Sequence, residues 1–153
     1  MHHKRGQFYL IAAIVIISLI AGIFTIANYS KKQDISKVYD LKRELEIESG
    51  KMLDNVNEGY AWGGLTSNFS AYAGKDVEII YVIVDAVSRN ITVYKYIDIN
   101  NKVGVAYVHD SGNKIITVNV QDTDYKFKEK EGENFYFIMS QNIGDQRYVA
   151  TNA

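Results

Sequence analysis

Few residues in this chain combine the types and spacing that do chemistry. His109-Asp110-Ser111 holds all three residue types of a hydrolase triad. Neighbours in a hairpin turn cannot adopt a triad's geometry, however, and a polar hairpin tip is expected there. Asp122 and Asp124 form a D-x-D pair in a turn, too few oxygen ligands for a calcium site without others. His2 and His3 sit at the extreme N-terminus, so His109 alone remains for a histidine-based metal site, and none is expected. There is no cysteine, which excludes disulfides, zinc-thiolate sites and thiol nucleophiles. No phosphate-binding loop, dinucleotide fingerprint or zinc-protease helix occurs. The expectation is a protein that is not an enzyme, with no cofactor and no metal. Three sequons stand out: Asn28-Tyr29-Ser30, Asn68-Phe69-Ser70 and Asn90-Ile91-Thr92. Asn68 and Asn90 are candidate glycosylation sites on a surface protein, while Asn28 adjoins an apolar run.

That run is the most distinctive segment of the chain. Residues 8–27 read FYLIAAIVIISLIAGIFTIA, without a charge. As a helix they would be about 30 Å long, the thickness of a bilayer's hydrocarbon core. Phe8, Leu10, Ile11, Ile14, Val15, Ile17, Ile20 and Phe24 would surround such a helix rather than line one face. Ser18 and Thr25 can return their hydroxyls to the helix's own carbonyls. Burying the large side chains is worth on the order of 20 kcal/mol in total, so lipid or a protein assembly must cover them. Before the run stand Lys4, Arg5, Gly6 and Gln7, a basic pair and a glycine set directly against it. Beyond Gly6 the chain holds 15 of its 17 basic residues and all 18 acidic ones. With a net charge of −1 and a pI near 6.3, nothing points to nucleic acid.

This N-terminus resembles the type IV pilin-like proteins, most closely the archaeal set with a class III signal peptide. The resemblance covers about residues 4–30. It implies that a prepilin peptidase cuts after Gly6, with Lys4 and Arg5 as basic leader and Gln7 as the new N-terminus. It also implies that the apolar helix stays on the mature chain and assembles with other pilin-like subunits, as a homo- or hetero-polymer. One departure is visible: the bacterial pattern has a glutamate at the fifth mature position, which is Ile11 here. Archaeal members often lack that acid.

The rest of the 153-residue chain must position whatever this N-terminus serves. Residues 34–58 carry Ile35, Val38, Leu41 and Leu45 at three- and four-residue steps, resumed by Met52 and Val56, which predicts an amphipathic helix. With no proline in the chain, one helix could run from the apolar run to about Glu58, ended by Gly59 and Gly63-Gly64. A short helix is expected over 66–73, with Thr66 or Ser67 as N-cap. The period then changes to two. Strands are expected over 77–86, 90–97, 103–108, 115–120, 125–129, 135–140 and 147–151. Turn residues lie between them at Asn100-Asn101, Ser111-Gly112-Asn113, Gly132 and Gly144-Asp145, and short connections predict an antiparallel meander.

The expected fold is therefore α+β: a long N-terminal helix, membrane half plus amphipathic half, packed on an antiparallel β-meander. Its divisions would be a leader (1–6), a transmembrane or assembly helix (7–30), an amphipathic helix (31–58) and a β domain (59–153). The expected function is a cell-surface, pilin-like structural subunit. The alternative is a single-pass membrane-anchored binding domain that does not polymerise. Both place membrane lipid among the partners, with the N-terminus cytoplasmic and the C-terminal domain outside.

Overall fold

The computed structural model describes residues 3–54, 62–85, 88–98, 100–131 and 134–153; within the first helix, side-chain surroundings are described for 13–25 and from 37 onward. The chain divides into two compact units, Met1–Ser36 and Lys37–Ala153, and helix α1 (His3–Asp54) runs through the boundary.

The second unit is mostly β. After α1 come α2 (Trp62–Ala73) and eight strands: β1 (Val77–Val84), β2 (Ile91–Asp98), β3 (Asn101–Gly104), β4 (Tyr107–Asp110), β5 (Ile115–Val120), β6 (Thr123–Lys128), β7 (Phe135–Ile143) and β8 (Gln146–Thr151). They form two antiparallel sheets, ordered β3-β2-β1-β7-β8 and β4-β5-β6. Strand β1 is central because its side chains are apolar on both faces. Tyr81 pairs with Tyr94 of β2 on one side and Phe137 of β7 on the other.

Alternation along β1 builds two cores. Val77, Ile79 and Tyr81 join Phe135, Phe137 and Met139 on the face covered by the helices, with Val38, Leu41 and Leu45 from α1 and Phe69 and Ala73 from α2. Ile80, Val82 and Val84 join Val93 and Ile138 on the opposite face, against Ile116, Val118, Val120 and Phe127 of the smaller sheet. Within α1 the buried positions Val38, Leu41 and Leu45 lie on the expected stripe, and Ser49, a polar residue at the next step, is buried as well. Lys42–Glu46 at 3.6 Å and Glu48–Lys51 at 2.6 Å pair along the helix surface. Met52 is half-buried; the expected continuation at Val56 and the stop at Gly59 lie outside the described residues.

Several expectations are corrected. The fold is not one long helix packed on a single meander: the second unit is mostly β, its strands lie in two sheets, and within that unit α1 contributes only from Lys37 on. Short connections did not mean adjacency, because β6 is followed after a short link by β7, which inserts beside β1 in the other sheet. The strand expected over 103–108 is two strands in different sheets, with Val105-Ala106 carrying the chain between them. Gly63-Gly64 lies in the first turn of α2 rather than ending α1.

A further correction concerns the membrane. Among the described residues no helix is long and apolar enough to cross one. The apolar part of α1 whose surroundings are described, residues 13–25, spans about 20 Å against about 30 Å of hydrocarbon core. The expected transmembrane segment is overturned. With it go the single-pass topology, the inside N-terminus and the outside C-terminal domain.

A buried polar cluster ties α2 to the sheet. The Tyr81 hydroxyl donates to the Thr66 carbonyl at 3.1 Å and lies 2.8 Å from Ser70 Oγ. Thr66 Oγ1 donates to the Trp62 carbonyl at 2.8 Å and lies 2.9 Å from the Tyr94 hydroxyl. Burial drives the Tyr81 phenol far above its ordinary value and raises that of Tyr94 in the same direction. Because both folded values exceed the unfolded one, the stability they carry is complete below about pH 10 and is lost as pH rises through the folded values. Spectrophotometric titration at 295 nm should therefore show tyrosines that ionise only as the fold opens. Tyr81→Phe and Tyr94→Phe should each remove one from that late step. Ionisation of all twelve near pH 10 with the circular dichroism unchanged would contradict the burial described here.

Candidate functional site

Among the described residues, the longest run of exposed large apolar side chains lies on α1. Ile14, Val15, Ile16, Ile17, Leu19, Ile20, Ile23 and Phe24 are each between 48% and 67% exposed. Successive residues of an α-helix are about 100° apart, so the four from Ile14 to Ile17 already point to every side. Thr25 donates its hydroxyl to the Ala21 carbonyl at 2.8 Å, which withdraws that polar group from the surface. Gly22 has open space where a Cβ would stand, so the helix backbone can be approached closely there. Contiguous apolar surface on this scale marks an interaction site rather than a solvent face.

Of the residues assigned to this helix, Ile14, Val15, Ile17, Ile20 and Phe24 are thus uncovered. Phe8, Leu10 and Ile11 share its backbone, and their side chains lie outside the described residues, as do those of Lys4, Arg5, Gly6 and Gln7. Gly6 is helical, not extended. It stands in the first turns of α1, where helix ends fray and where glycine costs about 1 kcal/mol relative to alanine. Cutting after Gly6 would begin by unwinding that end.

The other residues with chemical potential have structural employment. His109 lies in β4 with Nε2 2.5 Å from Glu129 Oε1, beyond the end of β6. The Asp110 carboxylate caps the β4–β5 turn, accepting from the Asn113 side-chain amide at 2.7 Å and from the Gly112 and Asn113 backbones at 3.0 Å. Those bonds, the Asn113 side chain first, hold its carboxyl below the usual range. Asp122 and Gln121 have positive φ and form the tight β5–β6 turn, while Asp124 accepts from Asn119 at 2.7 Å. A groove of about 610 Å³ lies between the end of α2 and the ends of β1 and β2. Its Lys95 and Glu78 are paired at 2.5 Å.

Sequence reasoning missed the role of Thr66. It is no N-cap but a fully buried residue inside α2, the hub between Tyr81 and Tyr94. The spacing of Thr66, Phe69, Ser70 and Ala73, at three and four residues, was the signal for a sheet-facing stripe. Of the two sequons, Asn68 is exposed on α2 and Asn90 is exposed immediately before β2.

Comparison of the chain with known protein families, curated proteins and solved structures gave no match.

Proposed function

We propose that this chain is a pilin-like structural subunit, cleaved after Gly6 by a prepilin peptidase and assembling through its hydrophobic N-terminal helix. The supporting observation is the uncovered apolar surface from Ile14 to Phe24, which runs all round the helix. A single partner would cover one side. Several neighbouring copies, each contributing the same helix, cover every side, and such head-to-tail contacts build open filaments when the rotation does not close. The Lys4-Arg5-Gly6-Gln7 sequence adjoining the run supports cleavage that leaves the helix on the product.

The test is the mature N-terminus. Peptide mapping of the protein from its native source should yield an N-terminal peptide beginning QFYL, at Gln7. A dominant species retaining Met1, or one beginning near Asn28 with the apolar helix removed, would sink the reading.

A further inference from the structure

The two described sequons differ in one geometric respect. Asn68, Phe69 and Ser70 lie within α2. In a helix, residues two apart point about 200° from each other, so the Asn68 amide and the Ser70 hydroxyl cannot be reached from one side. Phe69 between them is buried in the core under the helices, and Ser70 Oγ is engaged 2.8 Å from the Tyr81 hydroxyl. Presenting this tripeptide in extended form would require unwinding α2 and extracting Phe69.

Asn90-Ile91-Thr92 is already extended. Ile91 and Thr92 open β2, paired with Val84 and Ile83 of β1. Asp85 N donates to the Asn90 carbonyl at 3.0 Å, which continues that pairing by one residue. In an extended chain residues two apart share a side, so Asn90 and Thr92 face the same way. Both are exposed, and among the described residues neither side chain has a hydrogen-bond partner. Described residues just before Asn90 are also bonded. Ser88 N donates to Asp85 Oδ1 at 2.6 Å, Asn90 N to Ser88 Oγ at 3.3 Å, and Arg89 has φ 58°.

We infer that Asn90 is an N-glycan acceptor of the folded protein and that Asn68 is not. The donor class is a lipid-diphosphate-linked sugar. Asn90 Nδ2 forms a bond to the sugar C1 as the bond from C1 to the diphosphate oxygen breaks; the amide proton passes to a base on the transferase and the lipid diphosphate leaves. The acceptor belongs to the turn and strand of the second unit, so this inference does not depend on filament assembly.

The experiment incubates the folded full chain with a purified oligosaccharyltransferase and dolichyl-diphosphate-linked chitobiose. Occupancy at each asparagine is then read by mass spectrometry. Asn90 should carry the disaccharide, with roughly tenfold less or none on Asn68, since that site must await opening of α2. Thr92→Ala should abolish modification and Thr92→Ser should retain it, with unchanged thermal melting for both. Chain denatured before the reaction should accept sugar at both sequons. An unmodified Asn90 in the folded chain, or equal occupancy at Asn68, would overturn the proposal.

Discussion

Ile14→Asp should eliminate filaments while leaving the second unit folded. Ile14 is 56% exposed in the isolated chain, so the substitution removes no core contact, and its effect on the unfolding of 37–153 should stay within about 0.5 kcal/mol. Between packed helices the same carboxylate would be buried among residues that carry no charge from 8 to 27. Leaving a charge buried without a partner costs several kcal/mol, and at about 1.4 kcal/mol per decade each contact weakens by at least about a hundredfold. The loss repeats at every subunit, so assembly should fail outright. Ile14→Val, which keeps the apolar surface less one methylene, should still assemble. Electron microscopy of wild type and both variants, with thermal melts of each, separates failed assembly from failed folding. Wild-type chain that never forms filaments, or filaments indifferent to Ile14→Asp, would show that this helix is not their core.

The sequence carried local structure more faithfully than it carried connectivity. Strand-like residue patterns placed β5, β7 and β8 within a few residues because that signal is local to each strand. The same signal could not say which sheet a strand joins. Residues 103–108 read VGVAYV, a single uncharged run, yet β3 pairs with β2 and β4 pairs with β5, since the sequence of the run does not name its partner. The place of β7 beside β1 is likewise a long-range fact: Ile79 meets Met139 and Tyr81 meets Phe137. The inward stripe of α1 was legible from Val38, Leu41 and Leu45 because helical spacing is local. The apolar run was legible as surface that needs a cover, but composition alone did not specify the cover. Asn68 and Asn90 both head an N-x-S/T sequon, and the sequons do not reveal that one lies within α2 and the other leads into β2.

Leu45→Ala should destabilise the fold by about 2–5 kcal/mol, the range for deleting a fully buried leucine side chain. Leu45 is 0% exposed and shares a core with Phe69 of α2 and with Phe137 and Met139 of β7. Its position on α1 makes it a direct probe of whether the segment from Lys37 is part of the folded unit. Alanine favours the helix at least as well as leucine, so the loss would report packing rather than helix propensity. Ile47, two residues on and half exposed, provides the control, and Ile47→Ala should cost less than about 0.5 kcal/mol. Guanidinium denaturation of the full chain can be followed through Trp62, the chain's one tryptophan, whose ring stacks on Phe135 at 4.5 Å between centroids. The midpoint should fall sharply for Leu45→Ala with little change in slope, since both states expose nearly the same surface on unfolding. A cost below about 1 kcal/mol, or equal costs for the two variants, would mean that α1 does not hold the sheet through this stripe, and the core under the helices would have to be redrawn without it.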